Sequence, residues 1–256
     1  MSAVEKQVGG QTKVMLGSTI VGTTQVKDFS QYRNLFIVPG HGICVDPAQP
    51  LENKSWSGAL DDPKFYVEHI DAGIEGALRD KSNLFMPSGG FTRKAAGFRS
   101  EGQSYLQIAE VRKPEIIENG VAEIFAVDSL RNVAYSIALF NVLTGHMPDK
   151  VYEYGWTFKE PRLRFNAESL PTKMLNPRDF EYKGVNNPPN LAEIEEKGFE
   201  KKAFDAYKAD PYGVTFGLPG KLAEKNALRD PFGVNQLAYR AYRLDELMPE
   251  LAPKRA

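Results

Sequence analysis

Two patterns of apolar residues alternate along the first 160 positions of this chain. Short apolar or aromatic runs are typical of strands, and the run at 34–38 is continuous enough for a strand that is buried on both faces. Elsewhere, apolar residues recur every three or four positions, which is typical of helices. The predicted strands are 34–38, 83–87, part of 121–127, 151–157 and 180–182, and the predicted helices are 63–80, 100–111, 128–143 and 165–170. Strands and helices that alternate at this spacing predict βαβ units and a parallel sheet.

This order of elements predicts an α/β protein with a Rossmann-like three-layer α/β/α fold, a mainly parallel sheet and an irregular C-terminal extension. Residues 1–30 are polar and predict an N-terminal arm that is either mobile or forms short strands. Residues 31–185 make up the Rossmann-like domain, and residues 186–256 a helical and irregular extension packed on the same domain. Within the extension, 191–207 predicts one charged amphipathic helix whose Glu and Lys residues form a solvated face rather than a binding patch.

The composition of the chain excludes several classes of binding partner but says little about the reaction. The 256 residues carry a formal net charge of -1, so no overall field attracts nucleic acid or anionic lipid, and we expect neither as a partner. No apolar stretch approaches the roughly 20 residues of a membrane span, and the N-terminal residues lack the apolar core of a signal peptide, so we expect a cytoplasmic protein. The single cysteine, Cys44, excludes an internal disulfide and is predicted to be a small loop residue rather than a nucleophile. We expect a small-molecule substrate, and the sequence leaves a homodimer open.

The stretch Ser88-Gly89-Gly90-Phe91-Thr92-Arg93 directly follows a predicted strand. The glycine pair lets the backbone turn sharply and approach a ligand closely, while Thr92 and Arg93 add a hydroxyl and a fixed positive charge. Because α/β proteins build anion sites from such turns beside a helix start, we predict that a ligand binds here.

Three other groups of polar residues are expected to meet this turn, because the carboxyl ends of parallel strands and the following helix starts share one edge of a sheet. They are Gly40-His41-Gly42, Ser100-Glu101, and Asp128-Ser129 with Asn132. His41 lies between two glycines with little side-chain support from its neighbours. We therefore predict an exposed ring that acts as a general acid, as a general base or as a hydrogen-bond donor to phosphate. The other two groups are equally typical of helix caps, and spacing by itself leaves cap and site open.

The resulting hypothesis assigns catalysis to His41, Glu101 and Asp128, and substrate binding to Gly40, Gly42, Ser88, Gly89, Gly90, Thr92, Arg93, Ser129 and Asn132. His69 lies on the apolar face of a predicted helix and is expected in the core. The spacing of the three histidines does not support a metal site. The chain also lacks the Gly-Lys-Ser/Thr ending of a nucleotide-binding P-loop and the Gly-x-Ser-x-Gly motif of serine hydrolases.

Taken in order, these motifs resemble the domain of unknown function 218 (DUF218) family of SanA- and YdcF-like proteins. The motifs that carry the resemblance are Pro39-Gly40-His41-Gly42, Ser88-Gly89-Gly90-x-Thr92-Arg93, Ser100-Glu101-x-x-Ser104-Tyr105, and Asp128-Ser129-x-x-Asn132 preceded by Glu123. The similarity spans roughly residues 34–245 and is closer to the fungal branch of the family. It implies a Rossmann-like fold with the motifs around one pocket, and one bacterial member is thought to bind S-adenosylmethionine. The chain departs from the fungal pattern at Val127 and Arg131, where that pattern has Arg and Glu.

Three functions are compatible with these residues. The first is an enzyme, a hydrolase or a transferase, that acts on a phosphorylated or other polar metabolite. In it, His41 or Glu101 is the acid or base, and Asp128 and Asn132 orient substrate, water or a divalent ion. The second is a protein that binds a nucleotide-like ligand such as S-adenosylmethionine without turnover, and the third is a non-catalytic scaffold. The cofactor stays open, with S-adenosylmethionine and a divalent cation as candidates.

Overall fold

A four-stranded parallel sheet organises the chain. In the computed structural model, backbone and side chains are described for residues 27–57, 62–214 and 239–251, and the backbone alone for 3–8, 11–16 and 19–24. The strands are β1 (Ala3–Val8), β2 (Gln11–Leu16), β3 (Thr19–Thr24), β4 (Asn34–Pro39), β5 (Ile43–Cys44), β6 (Trp56–Ser57), β7 (Asn83–Ser88), β8 (Lys150–Trp156) and β9 (Phe180–Asn186). The main sheet has the order β7-β4-β8-β9, and each neighbouring pair in it is parallel. The arm that was expected at 1–30 contains the antiparallel sheet β1-β2-β3.

Helices cover both faces of the main sheet. One face carries α1 (Pro63–Ala77) and α2 (Glu101–Arg112), and the other carries α3 (Ser129–Thr144) and α4 (Glu160–Glu168). After β9 follow α5 (Leu191–Glu196), α6 (Phe199–Ala209) and α7 (Leu244–Leu247). The arrangement is the three-layer α/β/α fold with a mainly parallel sheet that the sequence predicts. Among the described residues, no helix has both the length and the apolar character that crossing a bilayer requires.

The continuous apolar run in β4 is explained by the two layers of helices. Leu35 and Ile37 point into the core beneath α3 and α4, whereas Phe36 and Val38 point into the core beneath α1 and α2. Because successive side chains of a strand alternate between its faces, a strand with helices on both sides must be apolar at every position. The same reasoning applies to β7, which is buried along its whole length.

Two helix starts beside the cavity are capped by Ser100 and Asp128, the residues for which the sequence left the cap open. The hydroxyl of Ser100 accepts a hydrogen bond from the backbone N–H of Gln103 at 3.0 Å, and a carboxylate oxygen of Asp128 accepts one from the N–H of Arg131 at 2.8 Å. These bonds satisfy N–H groups that have no partner within the first turn of a helix. They position α2 and α3 so that both helices begin at the carboxyl edge of the sheet.

Two predicted elements differ from the structure. The strand expected within 121–127 is reduced to two isolated bridges to β7, because the Glu123 carboxylate accepts the backbone N–H groups of Phe125 and Ala126 that a strand would use for pairing. The single helix expected at 191–207 is broken into α5 and α6 at Gly198, whose φ of 62° is left-handed. The chain therefore turns between two short helices instead of continuing along one axis.

The described part of the C-terminal extension packs on the main domain. Tyr242, Leu244, Leu247 and Met248 are buried in the same apolar core as Ile37 of β4. The sequence placed this segment in an irregular extension, and the structure shows that it contributes to the core beneath α3 and α4. The remaining residues of the extension, 215–238 and 252–256, lie outside the described part of the chain.

Candidate functional site

A cavity of about 720 Å³ opens at the carboxyl edge of the main sheet. It is lined by the ends of β4 and β8, by the turn after β7, by the start of α3, and by residues of α4, α5 and α6. The polar and aromatic side chains that line it include His41, Tyr66, Thr92, Arg93, Glu101, Asp128, Ser129, Asn132, Trp156, Phe158, Lys159, Arg162, Tyr182, Glu200, Lys202 and Tyr207. The position agrees with the rule that ligands bind beyond the carboxyl ends of parallel strands.

Glu101 is the carboxylate that the glycine turn accommodates. A Cβ atom on Gly89 would lie 2.6 Å from a Glu101 carboxylate oxygen, and one on Gly40 would lie 2.8 Å from the same oxygen. Neither distance is compatible with a side chain, so the two glycines keep open the space that Glu101 occupies. The hydroxyl of Thr92 donates to the other carboxylate oxygen at 2.5 Å. Strand ends, glycines and threonine thus hold this carboxylate on the wall of the cavity.

The same glycines do not hold an anion through their backbone N–H groups. The N–H of Gly40 donates to the Ser88 carbonyl at 2.8 Å, that of Gly89 to the Glu123 carbonyl at 3.1 Å, and that of Gly90 to the Ala126 carbonyl at 2.5 Å. Each donor is already bonded, which corrects the expectation that these amides bind a ligand. Gly40 lines the cavity, whereas Gly42, Gly89 and Gly90 lie behind its wall.

Ser88 is also placed behind the wall. It is fully buried, and its hydroxyl donates to a carboxylate oxygen of Glu123 at 2.6 Å and lies 3.0 Å from the side-chain oxygen of Asn132. The structure therefore uses Ser88 to join β7 to α3. Asn132 itself is buried and reaches the cavity wall.

His41 lies at the cavity, but in a packed environment rather than an exposed one. Its ring lies within 6 Å of the rings of Tyr66, His69 and Trp156. Its Nδ1 donates to the Pro39 carbonyl at 3.0 Å, and its Nε2 lies 3.4 Å from the ammonium nitrogen of Lys159. Burial, with smaller contributions from Lys159 and His69, lowers the pKa of His41 well below its usual value. The imidazole is therefore neutral, and its Nε2 accepts a hydrogen bond from Lys159.

His69 lies in the core, as the sequence predicts, and it supports His41. Its side chain is fully buried, and its Nε2 lies 2.7 Å from the side-chain oxygen of Asn186 at the end of β9. Burial lowers its pKa to about 4, so this ring is also neutral. Two neutral imidazoles in contact avoid the repulsion that two charged ones would experience.

Asp128 serves as a helix cap and as an ion-pair partner. One carboxylate oxygen accepts the N–H of Arg131, and the other forms a buried salt bridge with the Arg131 guanidinium. The nearby charge helps to raise the pKa of Arg131, which stays cationic. The charge of Asp128 is thus balanced within α3, although its side chain lines the cavity. Of the two roles that spacing left open, the helix cap is therefore present, and the side chain is placed at the cavity.

Ser129 connects the start of α3 to α4. Its hydroxyl oxygen accepts hydrogen bonds from Arg162 at 2.5 Å and from Asn166 at 2.9 Å. Arg162 in turn forms a salt bridge with Glu200 of α6 at 2.6 Å. Arg162 also lies on the cavity wall. A chain of polar contacts therefore connects the start of α3, α4 and α6 around the cavity.

Lys159 is a site residue that the sequence analysis missed. It lies at the start of α4, close behind the carboxyl end of β8, and lines the cavity beside His41. The position of β8 in the sheet was the signal that could have identified it, because residues after a parallel strand reach the same edge as Gly40 and Thr92. Cys44, by contrast, is fully buried, and burial raises the pKa of its thiol to about 11, which is unfavourable for a nucleophile.

The fold and this cavity define a class of protein, a three-layer α/β protein with a polar pocket at the carboxyl edge of its parallel sheet. Comparison with protein-family profiles, with curated proteins and with solved structures finds no match to this chain. Within the described residues, no group of three or more His, Cys, Asp or Glu side chains could hold a metal ion.

Replacing Gly89 by alanine is expected to destabilise the protein by about 2–3 kcal/mol and to displace Glu101. The φ of Gly89 is 152°, and the added Cβ would overlap the Glu101 side chain. The matched control is Gly97→Ala, since Gly97 also has a positive φ of 61° but has no atom within 4 Å of an added Cβ. Urea unfolding of both variants measures the difference, and equal stabilities for the two would contradict the close packing of Gly89 on Glu101.

Proposed function

We propose that this protein is an enzyme that acts on a small phosphorylated or otherwise anionic metabolite by hydrolysis or group transfer. The observation that carries the proposal is the placement of the Glu101 carboxylate on the cavity wall, in space that Gly40 and Gly89 keep open. Arg93 and Lys159 line the same cavity and supply positive charge for an anion. A carboxylate and cations in one cavity are the groups that polar group-transfer chemistry requires.

The roles follow from the contacts. Glu101 acts as the general base that accepts a proton from the attacking water or acceptor hydroxyl, and Thr92 fixes its orientation through the 2.5 Å hydrogen bond. Arg93 and Lys159 bind the anionic group and stabilise the charge that develops on it. Because His41 is neutral and accepts from Lys159, we assign it the positioning of that ammonium group rather than proton transfer. Asp128 and Asn132 line the far side and orient the substrate.

A second candidate is a protein that binds a nucleotide-like ligand such as S-adenosylmethionine without turnover. The observation in its favour is the aromatic part of the wall, where Tyr66, Trp156 and Phe158 line the cavity and could stack on a base. Glu101 would then accept hydrogen bonds from ribose hydroxyls. Membership of the DUF218 family, which the ordered motifs suggest, stays a proposal of the same kind and is compatible with both candidates.

The test combines turnover and binding in one pair of variants. Phosphomonoesters, diphosphates and acyl phosphates are screened for turnover, and Glu101→Gln is expected to lower kcat/KM at least about 100-fold while ligand affinity changes little. Glu115→Gln is the matched control, because Glu115 is exposed and lies outside the cavity wall. Unchanged turnover in Glu101→Gln would contradict the proposal that Glu101 is the general base of an enzyme. Tight calorimetric binding of S-adenosylmethionine without any turnover would favour the second candidate instead.

A further inference from the structure

Part of the cavity wall is formed by apolar residues of two short helices. Ile194 of α5 and Phe199, Ala203 and Ala206 of α6 line the cavity. The last three are spaced four and three residues apart, which places them along one side of a helix. Other positions of α6 are charged and exposed, so the cavity side and the solvent side of this helix differ in character.

Phe199 shows that this face is incompletely covered in the free protein. Its side chain lines the cavity, yet 58% of the residue surface is exposed. An aromatic ring at the mouth of a cavity buries more of its apolar surface when an apolar ligand lies against it. Three polar side chains of α6 share this wall: Glu200 is paired with Arg162, Lys202 lies exposed at its rim, and Tyr207 is buried.

The apolar wall is held in place by contacts between α4 and α6. The salt bridge between Arg162 and Glu200 fixes the start of α6 to α4, and the rings of Phe165 and Phe204 pack 5.7 Å apart between the same helices. The wall is therefore part of the folded protein, with the turn at Gly198 directing α6 across the cavity. A preformed apolar wall favours binding because little conformational freedom is lost there.

The size of the cavity exceeds what one anionic group needs. A volume of about 720 Å³ lies in the range of cavities that hold drug-sized ligands. Arg93 and Lys159 lie toward the strand ends, whereas the apolar residues lie on α5 and α6, together with Lys202 and the paired Glu200. A ligand that fills the cavity therefore meets Arg93 and Lys159 at one end and the apolar side chains of α5 and α6 at the other.

We propose that the substrate is an amphipathic phosphate monoester. Its anionic head group would lie at the strand ends, and its alkyl or acyl chain would lie against the wall formed by α5 and α6. The head-group half of this inference rests on the proposed function. The apolar half rests on Ile194, Phe199, Ala203 and Ala206 and can be tested separately, because these side chains take no part in the chemistry.

Isothermal titration with methyl, butyl, hexyl and octyl phosphate, each below its micelle-forming concentration, tests both halves. In the wild-type protein, affinity is expected to rise about threefold to fourfold for each methylene that reaches the wall. Ala203→Asp is expected to abolish this dependence on chain length, while repulsion by the added carboxylate acts on the phosphate group and weakens all four ligands to a similar degree. Arg93→Ala is expected to weaken all four ligands by a similar factor.

Two further variants complete the design. Ala192→Asp introduces the same change at an exposed position of α5 outside the cavity wall and is expected to keep the wild-type chain-length dependence. Should Ala203→Asp fail to fold, Phe199→Ala decides the point, because removal of an exposed ring is tolerated and is expected to weaken octyl phosphate about fivefold to tenfold relative to methyl phosphate.

The outcomes separate the two proposals. Equal affinity for methyl and octyl phosphate in the wild-type protein overturns the amphipathic substrate and leaves the anionic head-group site standing. Chain-length dependence that is lost in Ala203→Asp, together with no effect of Arg93→Ala, supports the apolar wall and contradicts the head-group site. Absence of binding by all four phosphates overturns both.

Discussion

Replacing Glu123 by alanine is expected to lower the free energy of unfolding by about 4 kcal/mol or more. Glu123 is fully buried, and its carboxylate accepts hydrogen bonds from the N–H groups of Phe125 and Ala126, at 2.6 and 3.1 Å, and from the hydroxyls of Ser88 and Tyr242, at 2.6 and 3.3 Å. Alanine removes both acceptor oxygens, leaves all four donors without this partner, and leaves a cavity. Each buried donor without a partner costs about 1–3 kcal/mol, so several together have a large effect.

Replacing Glu123 is expected to affect the cavity as well as the stability of the protein. The segment after Glu123 carries Ala126, Val127 and Asp128, which line the cavity, so the alanine variant is also expected to lose ligand binding. Glu123→Gln is the matched variant: it keeps one acceptor oxygen for the two N–H groups, and we expect a loss of about 1–2 kcal/mol. Urea unfolding compares the two, and an alanine variant within 1 kcal/mol of wild type would falsify this account of the segment.

The second large effect is expected from Glu153, which should make the stability of the folded protein depend on pH. This carboxyl is fully buried on β8, and neither of its oxygens has a hydrogen-bond partner among the described residues. Burial raises its pKa to about 8, although the positive charges of Arg162 and Lys159 act in the opposite direction. The phenol of Tyr182 on the neighbouring strand is affected by the same carboxyl, which helps to raise the pKa of Tyr182.

The direction of the pH effect follows from the raised pKa. An unfolded glutamate loses its proton near pH 4.3, whereas folded Glu153 keeps it until about pH 8. The folded state therefore binds more protons between these values, so the contribution of Glu153 to stability is fully present below pH 4.3 and is lost as the pH rises toward 8. Glutamine has no proton to lose, and Glu153→Gln should gain stability over wild type by ~3 kcal/mol between pH 5 and pH 8.

Urea unfolding of both proteins at pH 5, 6, 7 and 8 measures this difference. Glu181→Gln serves as the control, because Glu181 lies on the neighbouring strand β9 but is exposed, and its difference from wild type should vary little with pH. Glu123, whose pKa burial raises to about 7, contributes equally to wild type and Glu153→Gln and cancels from the comparison. A constant difference between wild type and Glu153→Gln across this range would show that Glu153 ionises normally in the folded protein.

The glycine turn after β7 illustrates how far sequence reasoning reaches at the site. The sequence correctly places a turn there and explains why a side chain is excluded at Gly89. It assigns the freed space to a ligand, whereas the structure fills that space with Glu101. The neighbour of a glycine cannot be derived from its own local sequence, because it comes from another element of the fold.

His41 illustrates a second limit. Two flanking glycines suggest an exposed ring, yet Tyr66, His69 and Trp156 come from α1 and β8 and enclose it. Its low pKa is a consequence of that enclosure, so an acid or base role that looks reasonable from the sequence changes to positioning of Lys159. Burial is set by residues more than 20 positions away, and no local pattern reports it.

The sequence by itself determines the parallel sheet, the helices on both of its faces, the candidate caps at Ser100 and Asp128, and the edge at which the cavity lies. These features depend on the periodicity of apolar residues and on hydrogen bonds within a few positions, which contiguous residues decide. Only the tertiary structure decides which polar groups reach the cavity. It buries Ser88 against Glu123 and places Lys159 beside His41. It also turns the chain at Gly198, so that α6 lies along the cavity. The physical reason is that exposure, pKa and pairing depend on which distant side chains exclude water from a group, and that is settled by packing.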